Sequence, residues 1–177
     1  MSKIIKNNAI VDDAWQILRL EAEQKPENAV DELALPDEKT LLPLAFWLAR
    51  RDEILARHAA TKAPIGIWLD SDESPESIAG DLEHFVLIGL NFPKFTDGRA
   101  YSSARLLRER YQYLGEVRAL GDVLQDQLFF MKRCGFNAYA VRADKNIDAA
   151  LASLKGFRES YQAAVDQPQP LFRRRLA

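Results

Sequence analysis

Short, unbroken apolar runs that alternate with amphipathic stretches are the feature that most limits the fold of this chain. Four such runs follow Pro64, at residues 65–69 (IGIWL), 86–92 (VLIGLNF), 116–120 (EVRAL) and 137–141 (NAYAV). Strands buried on both faces have this continuous hydrophobicity, and intervening helices connect them as a parallel sheet. We therefore predict an α/β fold with a mainly parallel sheet of about four βα units, either open or curled like part of a barrel.

The stretches around these runs predict the helices. Thr40 can cap a first helix in which Pro43 takes an early position. In a later helix, Asp122 and Gln125 form a variant of the capping box, and Gly135 stands where a glycine ends a helix. The predicted helices cover residues from 40 onwards, 75–85, 100–111, 122–135 and 147–161.

The first forty residues differ from the rest. Asn7 and Asn8 stand between two short apolar runs, which predicts an N-terminal β-hairpin. Residues 1–40 hold nine acidic and five basic side chains, so the part after the hairpin is expected to be a solvated connector. We predict one domain over residues 1–166, of which 1–40 form the acidic hairpin and connector, and a flexible tail over 167–177.

Composition excludes several classes of protein. The net charge of −2 argues against a general nucleic-acid binder. A single cysteine, Cys134, excludes an intramolecular disulfide and a cluster held by four cysteines of the chain, and two histidines are too few for a histidine-based metal site. The chain carries no GxGxxG or P-loop motif, so no cofactor and no metal is identified.

The location follows from what the apolar runs lack. The N-terminus has no long apolar core of a signal peptide, and no run approaches the roughly 18 apolar residues that cross a bilayer. We expect a cytoplasmic protein without a membrane partner.

The strand ends indicate where a ligand would bind, because ligands of parallel α/β folds collect at the carboxyl ends of the strands. The second strand end is the richest, with the sequence NFPKFTDGRAYSSARLLRER. Residues 94–118 hold six basic and three acidic side chains, and a helix N-terminus favours an anion. Phe95 is expected to anchor the loop to the core. The predicted anion-binding residues are Asn91, Lys94, Asp97, Gly98, Arg99 and Arg105.

Other interpretations of these residues stay open. The strand-end carboxylates Asp70, Asp97 and Asp122, with Lys94 as acid or base, are the candidates for catalysis. Asp122 is more typical of a helix cap than of a catalytic base, and Arg105 with Glu109 has the spacing of an ordinary surface pair.

Residues 41–141 resemble a bacterial family known as domain of unknown function 934. The segments that carry the resemblance are LLPLAFWLARRDEIL, GIWL and FPKFTDGRAYSSARLLRERYQYLGEVRALGDVLQDQLFFMKRCGF. The matching positions are Phe92, Pro93, Lys94, Phe95, Asp97, Gly98, Arg99, Tyr101, Arg105, Arg108, Arg110, Tyr111, Gly121, Asp122, Asp126, Gln127, Cys134 and Gly135. The family has no catalytic residues to transfer.

The resemblance implies a role in assimilatory sulfite reduction, as an oxidoreductase or an accessory protein. Sulfite reduction uses a haem-type centre and an iron–sulfur cluster, and one cysteine without a flavin or nicotinamide motif does not supply these. Three hypotheses follow. The chain is an accessory protein that binds a small oxyanion or an acidic partner at residues 91–105, or a small-molecule enzyme, or a docking module for sulfite reductase through its arginine-rich helix or tail.

Overall fold

An eight-stranded mixed sheet forms the centre of the protein. The computed structural model describes residues 2–20, 34–36, 39–156 and 159–175. The strands are β1 (Lys3–Lys6), β2 (Ala9–Asp12), β3 (Gln16–Ile17), β4 (Thr40–Pro43), β5 (Ile65–Leu69), β6 (Phe85–Phe92), β7 (Glu116–Gly121) and β8 (Ala138–Tyr139). Their order across the sheet is β2-β1-β8-β7-β6-β5-β4-β3.

The directions of the strands divide the sheet into two parts. Neighbouring strands from β3 to β8 are parallel, whereas β1 is antiparallel to both β8 and β2. The predicted α/β class is confirmed. The predicted sheet of about four parallel units is wrong, because β3 and β4 extend the parallel part and the hairpin joins the same sheet. Strands of two and four residues are too short to show a period in the sequence.

The N-terminal hairpin is confirmed. Lys6 pairs with Ala9 across a two-residue turn. Asn7 and Asn8 have φ values of 50° and 63°, in the left-handed region that a turn of this kind requires. Asparagine enters that region more readily than most residues, so the pair determines the register of β1 against β2.

Five α-helices accompany the sheet in the described ranges: α1 (Leu44–Thr61), α2 (Arg99–Arg105), α3 (Leu128–Cys134), α4 (Ile147–Ser153) and α5 (Leu171–Arg174). The prediction that Thr40 caps a helix is wrong, since Thr40 opens β4 and the helix begins after Pro43. The predicted helix over 75–85 consists of two 3₁₀ turns, Pro75–Ile78 and Leu82–His84. The helix predicted to reach residue 161 ends at Ser153. None of the described helices has the length and apolar character that crossing a bilayer requires.

The two faces of the sheet are covered in different ways. One face, with Ile67 and Leu90, belongs to the large core that contains the buried residues of the helices. The other face carries a smaller cluster of Leu41, Trp68, Leu87 and Leu120, against which Trp15 and Ile17 pack. A β-carbon at Gly66 would lie 2.6 Å from the Trp15 ring. The segment after the hairpin thus covers the face that lacks helices, and glycine makes room for it.

Most of the predicted connector lies outside the described residues, which omit 21–33 and 37–38. The predicted flexibility of the tail stays a prediction. In the described part of the tail, Arg174 donates to Glu159 Oε2 (2.8 Å) and to the carbonyl oxygen of Ser160 (3.0 Å).

A buried ion network joins the hairpin to the sheet. The Arg118 guanidinium, on β7, donates to Glu116 Oε1 (2.7 Å) and to Asp13 Oδ1 (2.9 Å). Lys6 Nζ lies 2.6 Å from Glu116 Oε2. Arg118 and Glu116 are both buried, and Arg118 is the buried cation that faces the carboxylates of Glu116 and Asp13.

We expect Arg118→Met to lower the free energy of unfolding by about 3–5 kcal/mol, because it leaves Glu116 and Asp13 without their buried cation. Urea unfolding followed by circular dichroism measures the change. Arg110→Met is the matched control, since Arg110 forms a surface pair with Glu76 at 3.4 Å that contributes at most about 1 kcal/mol. Equal losses in the two variants would contradict a stabilising role of the buried network.

Candidate functional site

Four neighbouring strands deliver polar side chains to one edge of the sheet. Asp70 follows β5, Asn91 is the penultimate residue of β6, Asp122 follows β7, and Arg142 lies shortly after β8. Because these strands are parallel, their carboxyl ends meet at the same edge, as the sequence predicts.

The ends of β5 and β6 are linked by a side-chain contact. Asn91 is buried and donates from Nδ2 to Asp70 Oδ1 at 2.9 Å. The Ser71 amide also donates to Asp70 Oδ1 (2.8 Å), and the Asp70 amide donates to Glu73 Oε2 (2.7 Å). The Asp70 carboxylate is thus engaged by the chain itself on one of its oxygens.

Arg99 and Asp97 form a fork-like ion pair at the start of α2. Arg99 donates from Nε to Asp97 Oδ1 (3.0 Å) and from a terminal nitrogen to Asp97 Oδ2 (2.7 Å), and that nitrogen also donates to Ser71 Oγ (2.8 Å). The Arg99 guanidinium holds the pKa of the Asp97 carboxyl well below its usual range. The sequence predicted that Asp97 and Arg99 belong to an anion-binding site. In the structure the Asp97 carboxylate itself accepts the hydrogen bonds of the Arg99 guanidinium.

Asp122 connects two loops instead of capping a helix. Its Oδ2 accepts from the Phe95 amide (2.9 Å) and its Oδ1 accepts from Arg142 (2.7 Å), which also holds Asp144 (2.6 Å). The prediction of Asp122 as a helix cap is therefore wrong. The helical turn before α3 begins at Leu124, whose amide donates to Gln127 Oε1 (3.2 Å).

The turn that carries Asp122 requires glycine. Gly121 has a φ of +86°, and a β-carbon there would lie 2.4 Å from the Phe92 carbonyl oxygen and 2.7 Å from Asn91 Oδ1. The Asp122 amide donates to the same Phe92 carbonyl at 2.8 Å. The close approach of β6 and β7 sets where the Asp122 carboxylate lies.

Phe95 is an exposed aromatic residue on a fixed backbone. Its side chain is 56% exposed, so the prediction that it anchors the loop in the core is wrong. Its amide donates to Asp122, and its carbonyl accepts from Gln127 Nε2 at 2.9 Å. Beside it, Lys94 is exposed and forms no ion pair with any of the described residues.

Further aromatic residues lie next to this loop. Tyr101 makes an edge contact with the buried Phe92 (5.2 Å between ring centroids) and another with Phe130 (5.0 Å). Phe130 is 56% exposed and follows Gln127 by three positions, about one helical turn. We call Phe95, Tyr101 and Phe130 the aromatic surface. The sequence did not reveal it, although the spacing of Gln127 and Phe130 could have indicated a shared helix face.

The arginines that follow this loop have structural partners. Arg105, a predicted ligand residue, pairs with Glu109 at 2.8 Å, as the alternative interpretation of the sequence has it. Arg108 donates to the carbonyl oxygens of Gly135 (2.9 Å), Tyr113 (2.5 Å) and Gly115 (2.8 Å), and burial lowers its pKa. The helix therefore does not present a row of free cations.

The strand-end carboxylates fall into two contact groups. Asp70 and Asp97 are linked through Ser71, whereas Asp122 is linked to Arg142. Within the described ranges, no group of three or more His, Cys, Asp and Glu residues is placed to hold a metal ion. Burial raises the pKa of the Cys134 thiol. Whether any of these residues acts on a ligand stays a prediction.

The geometry defines an α/β protein whose sheet is covered by helices on one face. Its candidate site lies at the carboxyl ends of the parallel strands. The family model that matches the chain is that of bacterial proteins of unknown function, domain of unknown function 934, over residues 66–172. The chain belongs to this family, and the resemblance predicted from the sequence is confirmed. Neither a curated protein nor a solved structure matches the chain.

We expect Asp122→Ala to release the Phe95 loop. A hydrogen bond to an ionised acceptor contributes about 1.5–3 kcal/mol, so exchange of the Phe95 amide hydrogen should quicken by roughly tenfold or more. Hydrogen exchange measured by nuclear magnetic resonance tests this. Asp126→Ala, at an exposed neighbouring position, is the control. Unchanged exchange at Phe95 in Asp122→Ala would show that other contacts hold the loop.

We expect Asp97 to stay ionised at pH values at which an unperturbed aspartate, with a pKa of about 3.9, takes up a proton. Because the pKa is lower in the folded protein, the stabilisation from Asp97 is complete above the ordinary pKa and is lost as the pH falls through the lowered one. The carboxyl carbon resonance measured between pH 5 and pH 2 reports the titration. Arg99→Gln should raise the pKa of Asp97, and an unshifted titration in that variant would contradict the assignment.

Proposed function

We propose that the protein is an accessory protein of assimilatory sulfite reduction that docks on an acidic surface of sulfite reductase, or of another sulfur-assimilation protein, through the 91–105 loop and helix. Membership of the family motivates the pathway, and the location that we propose is the cytoplasm. The single observation that carries docking is the exposed Phe95 side chain on a backbone held at both its amide and its carbonyl.

A fixed exposed aromatic residue suits a binding surface for a physical reason. Ordering a loop on binding costs free energy, and a loop that is already held avoids that cost. Aromatic residues near the centre of an interface contribute a large share of its affinity. Tyr101 and Phe130, whose rings contact each other, supply further aromatic side chains near the end of β6, and exposed apolar surface of this kind is typical of a protein interface.

The charge beside Phe95 favours an acidic partner. Lys94 is the exposed cation of the loop that the described residues leave unpaired, whereas Arg99 is held by Asp97. A small oxyanion at Arg99 would have to compete with the Asp97 carboxylate for the same donors. For this reason we favour an acidic partner surface over a small oxyanion as the ligand of the 91–105 loop and helix.

The enzyme alternative receives less support from the arrangement. Asp97 and Asp144 have pKa values held low by arginines, which makes them poor acids and bases near neutral pH. Docking through the arginine-rich helix is likewise less favoured, since Arg105 and Arg108 are engaged within the chain.

The test is binding of the purified protein to sulfite reductase from the same organism, measured by biolayer interferometry. We expect Phe95→Ser to weaken binding by about thirtyfold, since loss of a central aromatic residue costs about 2 kcal/mol or more. Lys94→Glu should also weaken binding, and the loss of affinity should be larger at low salt than at high salt.

The matched control is Phe172→Ser, a similarly exposed phenylalanine on α5, which also tests docking through the tail. Loss of binding in Phe172→Ser with normal binding in Phe95→Ser would transfer the interface to the tail. No binding by the unmodified protein would refute the proposal. Isothermal titration with sulfite and sulfate tests the oxyanion. Heat of binding in the unmodified protein that is absent in Arg99→Gln would favour a small oxyanion as the ligand.

A further inference from the structure

A cleft of about 600 Å³ is lined by residues of α3, the end of α4 and residues 159–175, which we call the C-terminal arm. Its size is within the range of small-molecule sites, about 300–1,000 Å³. Its charged lining residues are Lys132, Arg133, Lys155, Glu159, Asp166 and Arg174. Four basic and two acidic side chains give this cleft a positive excess in a chain with a net charge of −2.

The two arginines fix the walls of the cleft. Arg133 donates to Asp166 Oδ1 (2.9 Å) and to the carbonyl oxygen of Gln162. Arg174 donates to Glu159 Oε2 (2.8 Å) and to the carbonyl oxygen of Gln169 (3.1 Å). Both carboxylates of the lining are therefore neutralised by arginines, and the same pairs hold the C-terminal arm against the domain.

The two lysines remain available. Neither Lys132 nor Lys155 has a carboxylate partner among the described residues. Ser160 and Gln167 line the same cleft, and their side chains form no hydrogen bond with the part of the chain that the structure describes. Lys132 lies in the last turn of α3, where the helix dipole favours a positive charge. The dipole does not explain why the Ser160 hydroxyl and the Gln167 side-chain amide line the same cleft.

We propose that this cleft binds a small molecule that carries a phosphate group. Lys132 and Lys155 would supply positive charge, and Ser160 and Gln167 would supply hydrogen-bond donors to the phosphate oxygens. Leu154 and Phe129 form the apolar part of the lining, against which the remainder of the molecule would lie. This proposal rests on residues that the docking surface does not use, so either can fail without the other.

The test is isothermal titration of the full chain with inorganic pyrophosphate at constant ionic strength, together with amide chemical shifts to locate binding. We expect saturable binding at one site, with shifts confined to residues near the cleft. Lys132→Gln and Lys155→Gln should each weaken binding by at least tenfold. Lys3→Gln, an exposed lysine on β1, is the matched control and should bind as the unmodified protein does.

Circular dichroism of each variant establishes that it is folded. Absence of saturable binding, or equal binding by the lysine variants and the unmodified protein, would overturn the proposal. So would shifts that map to Lys94 and Arg99 instead of the cleft, because the phosphate would then belong to the loop.

Discussion

The fold depends on how Trp15 covers the sheet at Gly66, because the buried residues of helices α1 to α4 belong to the core on the opposite face. A sheet with one bare apolar face is unstable in water, and here the segment that contains Trp15 and β3 covers that face. Its position is secured from the hairpin side by Asp13, which accepts from the buried Arg118 and from the Trp15 amide (3.1 Å). Asp13 thereby joins the covering segment that follows the hairpin to strand β7.

At the carboxyl edge of the sheet, arginine and aspartate side chains form ion pairs with one another. Asp97 and Arg99 pair within one loop, which Arg99 links to the loop after β5 through Ser71 Oγ, and the pair of Asp122 with Arg142 links the loops after β7 and β8. Charge used in this way stabilises loop positions and is less available for a ligand. The exposed part of this loop is the Phe95 side chain beside Lys94, and hydrogen bonds to Asp122 and Gln127 hold the Phe95 backbone in place.

The sequence predicted those parts of the fold that local patterns determine. The hairpin follows from Asn7 and Asn8, and the buried strands follow from their apolar runs. Asp122 could not be assigned correctly, because an aspartate ahead of a helix has the same local pattern whether it caps or bridges. Its true partners, Phe95 and Arg142, are 27 and 20 positions away.

The sequence predicted that polar side chains from neighbouring strands meet at the carboxyl edge of the sheet, but it did not predict how those side chains pair with one another. Sequence shows that Arg99 and Asp97 are two positions apart, but it does not show that their side chains turn towards each other. Exposure of Phe95 is likewise a property of the assembled loops. In both cases the missing information is the long-range geometry that the parallel strands impose.

Gly121 shows how far the influence of a residue can extend beyond its own contacts. The carbonyl oxygen of Phe92 and the side-chain oxygen Oδ1 of Asn91 lie where a β-carbon of residue 121 would be. Any larger residue would push β6 and β7 apart at their ends, and the Asp122 carboxylate would move with them. The absence of a side chain at this one position therefore determines where the carboxylate that holds the Phe95 amide is placed.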